Sequence, residues 1–210
     1  MKVSLILTVK NEEATIGAFL DSVAAQTRQP DEIVIVDGGS TDRTRELVSS
    51  HPLEARMEVF EGNIASGRNK AIELATGELI AVTDAGCVLD HDWLERVTDL
   101  QGADVVVGGY APVIASLFDA CQYSIHNIFR PKDKLEGYAI SSRSLAFLKV
   151  VWEELGGYPE WLEHSEDTWF HNMIRQSRFT MRLEPRAVVH WRMRPDAKAV
   201  FRQFYRYMQG

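Results

Sequence analysis

Hydrophobic and polar positions follow two alternating periods along the first hundred residues, and the switches between them mark out strands and helices. Apolar runs at Lys2–Val9, Asp31–Val36, Glu78–Thr83 and Ala103–Gly108 predict buried strands, with Arg56–Phe60 as a further one. Between them, apolar residues at helical spacing predict helices. Glu12–Ala25 turns Ile16, Phe19, Leu20 and Val23 inward, and Thr41–Ser50, Ala65–Ala75 and Asp92–Leu100 follow. Ser40 or Thr41 is the expected cap of the second helix and Asp90 that of the fourth, while Gly77 stops the third. Strands separated by helices predict a parallel sheet with right-handed crossovers.

The pattern loosens after residue 109. Tyr110–Gly137 mixes apolar residues with Pro112, Pro131 and charges, and reads as a loop or a helical excursion. Ser144–Leu155 and Asp167–Gln176 read as helices, Phe179–Leu183 and Ala187–His190 as strands, and Ala197–Met208 as a last, aromatic helix. That helix meets the end of the sequence without a C-cap, so the expectation is a shortened chain or a membrane-facing tail beyond it. No linker separates two units. The expected organisation is one α/β domain of residues 1–210, with 1–109 and 110–210 as its halves.

Composition narrows the classes. The 210 residues are 45% hydrophobic and 25% charged, ordinary for a soluble globular protein with a packed core. Lys+Arg 23 against Asp+Glu 30 gives a net charge of −7, which argues against nucleic acid as a partner. Cys87 and Cys121 are too few for a disulfide framework and are expected to be reduced, in or near the core. No signal peptide is visible, and no run reaches the roughly 18 apolar residues that span a bilayer. The expected location is cytoplasmic.

The chemistry sits where strands should end. Asp37 closes one apolar run and opens Asp37-Gly38-Gly39-Ser40-Thr41-Asp42; Asp84 closes another, before Ala85-Gly86. Ligands of open α/β sheets bind at the carboxyl ends of strands, and an unpaired carboxylate buried there without a ligand is costly. Asp37 can accept from a base N–H or a ribose hydroxyl, with Gly38 allowing close approach; a turn or cap is the plainer alternative. Asp84 suits a hard divalent cation beside substrate phosphates, or a simple turn. His190, at the end of an apolar run, is a second candidate ligand.

Glu166-Asp167 opens a helix, where the dipole favours acids, and a carboxylate beside a cleft can also serve as a general base. Arg68 stands at a predicted helix N-terminus, where a cation is disfavoured, so a ligand or an acidic partner is expected for it. No P-loop and no Gly-x-Gly-x-x-Gly follows a strand, which argues against a P-loop NTPase or a dinucleotide oxidoreductase.

With these residues in hand, the chain resembles glycosyltransferase family 2, inverting nucleotide-sugar transferases of GT-A fold. The resemblance is carried by Thr8-Val9-Lys10-Asn11-Glu12-Glu13, Ile35-Val36-Asp37-Gly38-Gly39-Ser40-Thr41-Asp42-Arg43-Thr44, Gly67-Arg68-Asn69-Lys70-Ala71 and Ala75-Thr76-Gly77-Glu78. It continues through Thr83-Asp84-Ala85-Gly86, Glu154-Leu155-Gly156-Gly157-Tyr158, Glu166-Asp167-Thr168 and Val189-His190-Trp191. Each piece is weak alone; their order and spacing together are specific.

The resemblance implies a Rossmann-like, mostly parallel sheet flanked by helices, with an irregular acceptor side. It implies that Thr8 and Glu12 line the base pocket, that Asp37 and Gly38 hold base or ribose, and that Arg68 contacts the nucleotide. Asp84 would begin the Asp-x-Asp metal motif, with His190 as a further ligand or diphosphate contact. Asp167, with Glu166 beside it, would be the catalytic base. The implied cofactor is Mn²⁺ or Mg²⁺, the donor a nucleotide-sugar (UDP by family habit), and the acceptor a saccharide or lipid-linked hydroxyl.

Gly86 departs from the motif, since a second acid belongs there. Fewer protein oxygens would then hold the ion, and the donor diphosphate would have to complete the site. Gln203-Phe204-Tyr205-Arg206-Tyr207 is similar to the Gln-x-x-Arg-Trp motif of processive members, with Tyr last, and reads first as an amphipathic aromatic helix. That helix could meet the inner membrane face peripherally. Two rivals stand beside the transferase reading: a non-catalytic nucleotide- or sugar-binding module, and a sugar-phosphate nucleotidyltransferase. The latter should carry a basic glycine-rich loop where Thr8–Glu13 stands. Specificity is expected in Tyr110–Arg143.

Overall fold

The computed structural model describes residues 1–127, 134–136, 138 and 140–207. The chain runs β1 (Val3–Val9), α1 (Ile16–Ala24), β2 (Glu32–Asp37), α2 (Thr44–Ser50), β3 (Arg56–Val59), α3 (Ile64–Leu74) and β4 (Leu79–Val82). It continues through β5 (Cys87–Leu89), α4 (Trp93–Val97), β6 (Val105–Val113), α5 (Leu117–Asn127), β7 (Leu145–Leu148), α6 (Lys149–Leu155), α7 (Glu166–Gln176), β8 (Met181–Arg192) and α8 (Ala197–Tyr207).

One eight-stranded sheet, ordered β3-β2-β1-β4-β7-β6-β8-β5, takes strands from both halves of the chain. The block β3-β2-β1-β4 is parallel, β7 runs antiparallel to both β4 and β6, β8 is parallel to β6, and β5 is antiparallel to β8. Strand order reverses between β1 and β4, so their carboxyl ends open the crevice in which such sheets bind ligands.

Continuous apolar runs are explained by burial on both faces. Leu5 and Leu7 of β1 pack with Ile16, Phe19 and Leu20 of α1, while Ile6 between them joins Ala65, Ala71 and Ile72 of α3 on the other face. α3 approaches β1 closely because Gly67 has no side chain: a Cβ there would lie 3.0 Å from Thr8 Cγ2.

The second half corrects several expectations. Ser144–Leu155 is not one helix. Its first part, Leu145–Leu148, pairs with both β4 and β6, and such flanked apolar residues are better buried as a strand. The two expected strands around Pro185 are one, β8, whose register with β6 shifts between Gly108 and Gly109. Tyr110–Gly137 contributes the end of β6 and the helix α5; residues 128–133 and 137, with Pro131, lie outside the described residues, as does Met208.

Helix starts also move inward. α2 begins at Thr44, whose N–H donates to Asp42 Oδ1 at 3.0 Å, while the expected cap Ser40 accepts from Asn11 N–H instead. The N-cap position of α4 is Asp92, not the expected Asp90, whose carbonyl accepts from Trp93 N–H at 2.9 Å in the turn before the helix and whose carboxylate meets His190. Cys87 is buried, its thiol pushed up to about 12 by burial, but Cys121 is exposed, contrary to the core placement expected of it.

Candidate active site

The first wall of the crevice is the loop pair after β1 and β2. Asp37, the last residue of β2, is fully buried, and its Oδ1 accepts from Gly39 N–H at 2.9 Å and Ser40 N–H at 2.7 Å. Gly39 has φ +85°, a left-handed conformation that favours glycine and folds the turn back onto the carboxylate. Oδ2 of Asp37 is buried with no hydrogen-bond partner among the described residues. A buried acceptor left open is costly, and an N–H or hydroxyl donor brought to this oxygen would remove that cost.

The β1 loop is tied to the same turn. Asn11, at φ 56°, accepts from Thr41 N–H at 2.9 Å through Oδ1, and Asn tolerates that left-handed conformation better than most residues. Glu12 N–H donates to buried Thr44 Oγ1 at 2.8 Å, and the Glu12 carboxylate accepts from Thr15. Thr8, Glu12, Asp37, Gly38 and the α3 residue Gly67 thus gather at the carboxyl ends of β1 and β2.

The second wall is a buried ionic cluster. Arg68 lies in the second turn of α3, whose start is capped by Asn63 accepting from Ser66 N–H at 2.9 Å. Its guanidinium, 3% exposed, donates from Nη2 to Asp84 Oδ1 at 2.9 Å and from Nη1 to Glu166 Oε1, and lies over the buried Tyr158 ring at 5.4 Å. The acidic partner expected for Arg68 is therefore two partners. Burial pushes the Asp84 carboxyl up, and the Arg68 and Arg143 guanidiniums outweigh it and hold it below the usual range. Burial raises Glu166, and neighbouring Asp167 adds to that, against the pull of Arg68.

Asp167 is placed differently from Glu166. It is half-buried, makes no ion pair among the described residues, and its Oδ1 accepts from Thr168 N–H at 2.7 Å. Ser165, at φ 64°, brings the chain into α7 through a left-handed residue that is not glycine, which concentrates strain just before the acidic pair. One turn on, His171 is buried with Nε2 3.4 Å from Ser142 Oγ, which is 3.0 Å from Tyr158 Oη. Burial holds the His171 pKa down at about 4, so it is neutral at pH 7.

Not every expected residue joins this centre. The His190 hydrogen bond goes from Nε2 to Asp90 Oδ1 at 2.8 Å, on the β5 side of the sheet, rather than to Asp84. No group of three His, Cys, Asp or Glu that could hold a metal ion occurs among the described residues. An ion would fit only as a shared ligand: Asp84 has one oxygen fixed by Arg68, while Oδ2 meets Arg143 Nε across a longer 3.6 Å. One carboxylate oxygen with donor phosphates and water is a donor set that Mg²⁺ and Mn²⁺ accept.

Arg143, Tyr158, Ser142 and His171 were not singled out as site residues. Gly156-Gly157-Tyr158 lay in the motifs, and Arg143 ended the expected specificity segment, but what each side chain meets depends on strand pairing far away in sequence.

A mixed sheet of this order, curled and flanked by helices, with acids at the ends of β2 and β4 and at the head of α7, is a GT-A fold. The chain belongs to the Glycosyl transferase family 2, whose model matches residues 4–142. Among curated relatives it is 34% identical over 116 residues to Glycosyltransferase AglE of Haloferax volcanii, covering 51% of this chain and 38% of that one. It is 32% identical over 123 residues to Validoxylamine A glucosyltransferase of Streptomyces hygroscopicus subsp. limoneus, covering 52% and 27%. The aligned part thus spans well under half the length of these relatives.

Two solved structures share the fold. TarS 1-349 of S. aureus, in complex with UDP-GlcNAc, superposes with a TM-score of 0.74 at 20% identity, covering 95% of this chain and 61% of that one. Mannosyltransferase PcManGT from Pyrobaculum calidifontis, in complex with GDP-Man and Mn²⁺, gives 0.68 at 21%, covering 96% and 59%.

Proposed function

We propose that the chain transfers a sugar from a nucleotide-diphosphate donor to an acceptor hydroxyl with inversion at the anomeric carbon. The observation that carries this reading is the Arg68 bridge, which puts Asp84, expected at the donor, beside Glu166 and the neighbouring Asp167, expected at the proton. Asp37 Oδ2 offers the acceptor that a nucleoside requires. Residues 1–109 form the donor half and 110–210 the acceptor half of one domain. UDP is the nucleotide favoured by family habit, and the UDP-GlcNAc and GDP-Man bound by the structural neighbours keep both UDP and GDP in view.

Of the acidic pair, Glu166 is spent on Arg68 and Asp167 is the base. Its carboxylate takes the proton of the acceptor hydroxyl as that oxygen attacks the sugar from the face opposite the diphosphate. One displacement gives inversion. Arg68, fixed before the donor arrives, holds Asp84 in place and costs no reorganisation during reaction. A divalent ion, Mn²⁺ or Mg²⁺, would rest on Asp84 Oδ2 and supply Lewis-acid neutralisation of the leaving diphosphate.

α8 supports a peripheral contact with a membrane, at its inner face, bringing a lipid-linked acceptor near. Phe201 and Tyr205 are exposed and stacked with ring centroids 6.3 Å apart, among Lys198 and Arg202. No helix among the described residues is long and apolar enough to cross a membrane. Liposome co-sedimentation that is indifferent to Lys198→Glu with Arg202→Glu would remove this part of the reading.

The test is a thermal-shift panel of UDP, GDP, CDP and dTDP, each with Mn²⁺ or EDTA, followed by assay of nucleotide release from the corresponding nucleotide-sugars. One nucleotide should raise the melting temperature, because a ligand of the native state alone stabilises it. Stabilisation without donor turnover under any acceptor would favour the binding module; no stabilisation by any nucleotide would sink the reading.

A further inference from the structure

The two arginines at Asp84 are built for different tasks. Arg68 is 3% exposed, with both ends of its guanidinium on carboxylates. Arg143 precedes β7, its side chain is 29% exposed, and its Nε stands 3.6 Å from Asp84 Oδ2. The Arg143 guanidinium lies over the Trp191 ring at 5.2 Å, and Nη1 donates to Ser141 Oγ at 3.2 Å. A long ion pair between part-exposed groups is weak and readily exchanged. A diphosphate offers more charge and more acceptor oxygens than one carboxylate oxygen, in a geometry that the guanidinium fork matches.

The position of the missing acid sharpens this contrast. A Cβ added at Gly86 would meet nothing within 4 Å, so the space is open, yet no second carboxylate stands there. His190 is engaged with Asp90. An ion arriving first would therefore meet one carboxylate oxygen already covered by a cation.

We propose that Arg143 binds the donor diphosphate and, while the donor is absent, rests on Asp84 Oδ2, so that the diphosphate uncovers the oxygen a divalent ion needs. The assignment rests on the nucleotide-sugar reading above. It makes binding ordered, nucleotide before ion, and couples the two: each raises the other's affinity by the same factor.

The experiment is isothermal titration of the full chain with UDP, UMP, GDP and GMP in EDTA and in Mn²⁺, with Mn²⁺ binding alone followed by electron paramagnetic resonance. Wild type, Arg143→Gln and Arg143→Lys are compared, each checked for folding by its melting curve. In EDTA, Arg143→Gln should weaken the diphosphate about tenfold and leave the monophosphate within about twofold, because one charge-assisted pair is lost. The same variant should take up Mn²⁺ alone more tightly than wild type, by about fivefold or more, once the covering cation is gone. Arg143→Lys, which keeps the charge without the fork, should fall between. A variant equal to wild type for diphosphate and for Mn²⁺ overturns the assignment while the donor reading stands. Wild type that binds none of the four nucleotides overturns both.

Discussion

Arg68 Nη2 lies 2.9 Å from Asp84 Oδ1, and the other end of the same buried guanidinium reaches Glu166, 98 residues further along the chain than Arg68. One side chain thereby fixes the end of β4 against the head of α7. Removing it would leave buried Glu166 without its cation and part-exposed Asp84 with only the longer Arg143 pair. Arg68→Ala should destabilise by about 3–5 kcal/mol, the range for breaking a buried ion pair from one side. Arg68→Lys should recover only part of that, since an ammonium lacks the fork that reaches both acids. Urea denaturation of the three proteins measures it, and a variant as stable as wild type would show that the cluster holds nothing together.

Asp37→Asn should weaken nucleotide binding in EDTA and in Mn²⁺ alike. An amide at this position either puts its NH₂ where Oδ2 now stands, or turns that NH₂ toward the N–H groups of Gly39 and Ser40 and spoils the turn. Losing an acceptor for a buried donor costs about 1–3 kcal/mol, or roughly 5- to 150-fold in Kd. Calorimetry on the nucleotide chosen by the thermal-shift panel gives the ratio, and an unchanged Kd would take Asp37 out of the donor site.

Much of this architecture could be read in the sequence, and what could not has a common cause. β1, β2 and β4 announce themselves because strands buried on both faces are continuous apolar runs, and Asp37 and Asp84 close two of them. Leu145–Leu148 was hidden because four apolar residues fit a helix or a strand equally until β4 and β6 flank them. The partner of Arg68 was legible as a need, since a cation near a helix start requires one, but not as Asp84 and Glu166 by name. His190 reads as a ligand by its place at an apolar run's end; strand alternation and pairing with β5 instead give it Asp90.

Asp167→Asn should separate chemistry from binding. Asp167 makes no ion pair among the described residues and is half-exposed, so its replacement should leave donor affinity and stability nearly unchanged. General-base catalysis contributes about 10²- to 10⁴-fold, and kcat should fall by that factor with Kd for the nucleotide unmoved. Glu166→Gln should behave in the opposite way, disturbing Arg68 and stability first. Equal loss of kcat in both variants, or none in Asp167→Asn, would reassign the base.

His171 gives the fold a pH dependence of known sign. Burial holds its pKa at about 4 in the folded chain against 6.5 for an ordinary histidine; Asp167 pulls the other way, while Arg68 and Arg175 add to the lowering. Between those values the unfolded chain binds more protons than the folded one. The stability His171 contributes is therefore complete above pH 6.5 and is lost as pH falls toward 4. Between pH 7 and pH 4.5 the loss is on the order of 2 kcal/mol. Acid also protonates carboxylates, so the comparison is with His171→Gln, which keeps a polar group near Ser142 but does not titrate in this range. Urea denaturation at the two pH values should show wild type losing more stability than the variant, by on the order of 2 kcal/mol. Parallel losses would mean that His171 is charged in the folded protein, or open to water.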